Sequence, residues 1–160
     1  MDNSFPGFNF VIRIKMDAYV AMDGYTLPSG YIMKELCIIF PNGEYDHFLF
    51  SKPDLDLNTS DIRTIRYTTK YLNNLNFNDG STPYTLIEKI LSKIQEFNIY
   101  TYSDVAQKTL QKYLPTTVIV NIQDIGFRMP NTLPKSACFR EHNTRYCAKS
   151  KAIAIQTFML

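Results

Sequence analysis

Tyr31-Ile-Met-Lys-Glu-Leu-Cys-Ile-Ile-Phe-Pro-Asn-Gly-Glu-Tyr-Asp-His-Phe-Leu-Phe-Ser51 reads as two strands with the turn between them. Its first half, Tyr31 to Phe40, is strongly apolar. Pro41-Asn42-Gly43 then breaks the run, and Asn-Gly adopts positive φ at low cost, which is a hairpin signal. Upstream, Phe10, Ile12, Ile14, Met16 and Ala18 alternate with Arg13, Lys15, Asp17 and Tyr19, so Phe8 to Val20 is predicted as a strand with one polar face. Between the two, Asp23-Gly24, Pro28 and Ser29-Gly30 mark Ala21 to Gly30 as a turn region. Three strands joined in this way form an antiparallel meander.

After Lys52-Pro53 the apolar period changes from that of a strand to that of a helix. Ile62, Ile65, Thr69 and Leu72 follow the capping residues Asn58, Thr59 and Ser60, predicting a helix over 60–73. A polar loop over 73–81 leads to Thr82 as an N-cap and Pro83 at a first helical position. Ile87, Ile90, Leu91 and Ile94 supply that second helix with an apolar stripe ending near Phe97. Ile99 to Tyr102 is a short strand, and Ser103 caps a helix carrying Ala106, Leu110 and Leu114 until Pro115 stops it. Thr116 to Ile122 is a β-branched strand. A loop through Gly126, Pro130 and Pro134 precedes two short helices, the last with Ala148, Ala152, Ile155 and Met159 on one face. The order β-β-β-α-α-β-α-β-α predicts an α/β domain spanning 1–160, its mixed five-stranded sheet covered by helices on both faces.

A chain of 160 residues, 45% hydrophobic, is long enough for one real core. Seventeen Lys and Arg against fifteen Asp and Glu leave a net charge of +2, too small by itself to argue for a nucleic-acid partner. The three cysteines are an odd number, and Cys37 lies within an apolar run, so a secreted disulfide framework is not expected. MDNSFPGFNF has neither a basic segment nor an apolar core of the kind found in export signals. No stretch is apolar enough to span a bilayer. An intracellular protein is the expectation.

Near the C-terminus, Cys138-Phe-Arg-Glu-His142-Asn-Thr-Arg-Tyr-Cys147 gathers two thiols and an imidazole. Zinc favours four N, S or O ligands in a tetrahedron, and this cluster can supply three of them. The fourth would come from elsewhere: Glu35, Cys37 and His47 are the candidates. The simpler alternative is two small core cysteines and a surface histidine.

The element order is that of a ribonuclease H-like fold. Four patches resemble the exonuclease domain at the C-terminal end of arenavirus nucleoproteins, a branch of the DEDDh 3′-5′ exonucleases. They are Ile14-Lys-Met-Asp17-Ala-Tyr19, the run from Lys34 to Pro53, Ile99-Tyr-Thr-Tyr-Ser-Asp104, and Cys138-x3-His142-x4-Cys147-Ala148. The resemblance covers about Val11 to Phe158. It implies a structural zinc held by Glu35, Cys138, His142 and Cys147, with three residues between Cys138 and His142 where the family has two.

The same resemblance implies that the catalytic set is degraded. Asp17 and Asp104 stand as remnants. Tyr19, Tyr146 and Lys151 occupy positions where the family has an acid, the general-base histidine and the last acid. Two-metal hydrolysis needs several carboxylates around its cations, so Lys151 and two tyrosines argue against it, and Mg or Mn enters only if the domain is active.

Three functions follow as expectations. The first is a catalytically inactive, exonuclease-like domain with a structural zinc, a viral or mobile-element accessory protein binding RNA or a host protein in the cytoplasm or nucleus of an infected cell. Tyrosines and a lysine suit phosphates and stacked bases. The second is an active metal-dependent 3′-5′ exoribonuclease using Asp17, Asp104 and an acid such as Asp124. The third is a protein-interaction or structural module with no nucleic-acid role.

Overall fold

The computed structural model describes residues 16–134 and 146–160. Three antiparallel strands come first: β1 (Asp17–Leu27), β2 (Gly30–Ile39) and β3 (Tyr45–Leu49). Then come α1 (Thr59–Thr68), α2 (Ile87–Ser92), β4 (Asn98–Thr101), α3 (Asp104–Tyr113), β5 (Ile119–Asn121) and α4 (Ala148–Met159). The sheet order is β3-β2-β1-β4-β5, with β4 and β5 parallel to β1. This is the mixed five-stranded sheet that the order of elements predicts.

Positions 8–15 of the strand predicted over Phe8 to Val20 lie outside the described residues, and β1 runs on well past Val20. The turn expected across 21–30 is instead the second half of the strand, and the reversal occurs only at Pro28-Ser29. The register shifts by a residue between the pairs Asp23–Glu35 and Gly24–Met33, leaving Lys34 of β2 as the extra residue of a β-bulge opposite Asp23-Gly24. A Cβ on Gly24 would lie 1.9 Å from the Ile32 carbonyl oxygen, so glycine serves here for close strand approach rather than for reversal. Among the described residues of the expected polar face, Asp17 is half-buried and Tyr19 is buried, because both sides of β1 are covered by helices. Val20 and Met22 pack with Leu36 and Ile38 against α2 and α3, while Tyr19 and Ala21 pack with Cys37 and Ile39 against Ala148, Ala152 and Ile155 of α4.

A third apolar cluster lies beyond the bulge, where Tyr25, Leu27 and Ile32 meet Ile65 of α1 and Leu75 and Phe77 of the following loop. Tyr25 donates its hydroxyl proton to the Leu75 carbonyl at 2.5 Å, fixing that loop to β1. α1 begins with a capping box: Asn58 accepts from the Asp61 backbone N–H, and Asp61 accepts in return from that of Asn58. Asp61 also accepts from Ser29, tying the β1–β2 turn to the helix. α1 is shorter than its predicted span and widens into a π-type turn over Thr69–Asn73, leaving Ile62 and Leu72 on its exposed side.

Lys34, the extra residue of the bulge, is buried. Its amine donates to the Phe50 carbonyl and, at 2.9 Å, to that of Asp79. Burial lowers its pKa to about 8 against a smaller opposing effect of Asp79. Among the described residues no helix is long and apolar enough to cross a membrane.

Candidate functional site

The bulge, the π-type turn and the first turns of α3 and α4 surround a cavity of about 550 Å³. Among the described residues four tyrosines line it, Tyr31 from β2, Tyr67 from α1, Tyr102 before α3 and Tyr146 before α4. Asp23 and Lys151 bring opposite charges to the same wall, and among the described lining residues Asp23 is the one carboxylate. Asp23, opposite the bulge, lines this space, and β1 is held there by Asn73, whose amide donates to the Gly24 carbonyl at 3.1 Å. Lys151 reaches across from α4 to donate to the Met22 carbonyl at 2.5 Å, one residue before Asp23. Tyr31 has a pKa well above the ordinary phenol value, through burial first and then the charge of Asp23 and neighbouring Tyr84. It is therefore a neutral hydroxyl at physiological pH.

Ser103 shapes the same cavity at some conformational cost. It sits at φ 96°, ψ 151°, a region that residues with a Cβ seldom occupy, while its hydroxyl caps α3 by accepting from the Ala106 N–H. Buried Asn121 holds it there: its amide oxygen accepts from the Ser103 N–H, and its amide nitrogen donates to Asp104. Asp104 is thereby an exposed first-turn acid of α3 and does not line the cavity.

Of the positions singled out in the sequence, Tyr146 and Lys151 meet in this cavity and Asp17 and Tyr19 do not. Asp17 begins β1 and accepts from the Asn98 amide at 3.3 Å. It lies six residues up the strand from Asp23, roughly 20 Å away at the usual rise per residue. Tyr19 is buried under α4 beside Tyr100, with ring centroids 6.0 Å apart. Asp124 is exposed in a short 3-10 turn, Ile122–Ile125, after β5. Sequence reading missed Asp23 because Asp-Gly carries a strong turn signal. Only the pairing with β2 shows that the strand runs straight through it, opposite a bulge.

The candidate metal ligands divide differently. Cys138 and His142 lie outside the described residues. Glu35 is fully buried on β2, and His47 on β3 contacts its carboxylate, Nε2 to Oε2 at 2.6 Å. Cys147 is buried at the N-cap of α4. Cys37, paired in register with His47, has its thiol pushed up to about 12, by burial first and then by the nearby charges of Glu35 and Cys147. Cys37 thus lies within electrostatic reach of Glu35 and Cys147, and His47 lies on Glu35, all residue types that zinc accepts. Among the described residues alone, no three His, Cys, Asp or Glu side chains converge as a metal site. Comparison with protein-family models, curated proteins and solved structures gives no match.

Proposed function

We propose that this chain is a ribonuclease H-like, exonuclease-type domain that binds the end of a single-stranded RNA without cleaving it, as part of a viral or mobile-element accessory protein. The observation that carries the reading is the composition of the 550 Å³ cavity, which among the described residues is lined by four tyrosines, one lysine and one carboxylate. Aromatic rings stack bases of any sequence, and a lysine beside them neutralises phosphate. Lys151 disfavours a pair of divalent cations, because its ammonium lies on the backbone carbonyl next to Asp23. Zinc, in this reading, is held by Glu35 and Cys147 together with Cys138 and His142, and joins α4 to the sheet. In that assignment His47, 2.6 Å from the Glu35 carboxylate, would orient the ligand as a supporting partner.

Fluorescence anisotropy with a short, 5′-labelled single-stranded RNA tests the reading. Binding should weaken steeply with salt, the labelled RNA should stay at full length in Mn²⁺, and Lys151→Ala should lower the affinity about tenfold, equivalent to about 1.4 kcal/mol. A ladder of shortened products that disappears in an Asp23→Ala variant would make the domain a nuclease instead. Absence of RNA binding at low salt would leave the protein-interaction module.

A further inference from the structure

A second cavity, of about 380 Å³, lies on the other side of Tyr31, which lines both. Tyr84 and Tyr113 add two more aromatic walls, and Lys108 and Lys112 bring two positive charges from α3. The same helix borders the first cavity through Val105 and Ala106. At 1.5 Å per residue, the two lysines begin roughly 4 Å and end roughly 10 Å further along its axis. The two spaces are therefore neighbours along one helix.

Lys108 and Lys112 are four residues apart and face the same way, an arrangement that costs a helix a few tenths of a kcal/mol by mutual repulsion. Both are exposed, neither forms an ion pair among the described residues, and no carboxylate is among the described residues lining this cavity. A pair of like charges set into an aromatic hollow is suited to a polyanion. Burial raises the pKa of Tyr84 to about 12, with a further contribution from Tyr113, so its hydroxyl remains a hydrogen-bond donor.

We infer that the second cavity is a subsite for the RNA backbone, in which Lys108 and Lys112 contact the phosphates of the nucleotides that precede the one held in the first cavity. The inference rests on the reading of the first cavity as an RNA-end site. Tyr31 is the partition over which the strand passes, and α3 is the rail along both. Affinity should then grow with chain length beyond one nucleotide, and the growth should depend on the two lysines.

Uridine monophosphate and a short uridine oligonucleotide, titrated against the wild-type chain, Lys108→Ala/Lys112→Ala and Lys151→Ala, separate the possibilities. The double variant should bind the oligonucleotide at least about tenfold more weakly. Its slope of log affinity against log salt should be smaller by about 1.4, for two lost single-strand phosphate contacts, while monophosphate affinity stays within about twofold. A Lys108→Arg/Lys112→Arg variant should restore oligonucleotide binding. Unchanged oligonucleotide binding by the alanine variant, with monophosphate binding still lost in Lys151→Ala, would overturn the subsite and leave the end site standing. Equal loss of both ligands would overturn it too, since the lysines would not then act on the strand alone. If the wild-type chain binds neither ligand, both readings fall together.

Discussion

Ser103 combines two opposing energies in a single residue. Its backbone lies at a positive φ that costs a residue with a Cβ about 1–3 kcal/mol, and its hydroxyl recovers about 1 kcal/mol by capping α3. Two substitutions at this position should therefore move stability in opposite directions. Ser103→Ala keeps the strain and loses the cap, and should lower the unfolding free energy by about 1 kcal/mol. Ser103→Gly removes the strain, forfeits only a few tenths as a cap, and should raise it by about 1 kcal/mol. Urea denaturation followed by circular dichroism reads both, and a destabilised Ser103→Gly would mean that the hydroxyl outweighs the backbone. The sequence identifies Ser103 as a cap, since Ser before an apolar-periodic run signals one. It does not identify the strain, because that is imposed by Asn121, eighteen residues away in the chain, through its bond to the Ser103 N–H.

At the scale of elements, β1 is where local signals and tertiary structure disagree. Asp23-Gly24 looks like a reversal to any reading of dipeptides, yet the ladder with β2 continues past it to Leu27–Gly30. Gly24→Ala should cost about 3 kcal/mol, because a Cβ there meets the Ile32 backbone and nothing flexible can yield. A urea midpoint unchanged from wild type would show that the strands part easily at this point. The hairpin at Pro41-Asn42-Gly43, the Ser103 cap, the α2 stripe and the stop at Pro115 were legible because each is decided within a few residues. The extent of β1 and its two buried faces were not, since they depend on α4, which arrives more than a hundred residues later. The expected helix between Pro134 and Ala148 falls outside the described residues.

For the whole molecule, the question is what joins α4 to the sheet. Ala148, Ala152 and Ile155 pack on Tyr19, Ala21, Cys37 and Ile39, and Lys149 lies over the ring of Tyr45 at 4.1 Å. If zinc adds to that packing, purified protein should carry about one zinc per chain by native mass spectrometry, and a strong chelator should lower the Tm by at least about 5 °C. Metal-free protein with an unshifted Tm would remove zinc from the account. Two of the six residues that characterise the candidate site, Tyr146 and Lys151, were singled out in the sequence, and they share a cavity. Asp23, Tyr102 and the tyrosines of β2 and α1 were not, because residues so far apart in the chain meet only through the sheet order. The buried Lys34 has one further consequence. Its amine is enclosed against the carbonyls of Phe50 and Asp79, so an acylating reagent can reach it only when the segment around 74–82 lifts from the sheet. Beside the exposed Lys108 and Lys112, which label freely, Lys34 is a built-in clock for local opening, its modification rate counting how often that segment detaches while the rest of the fold stays closed.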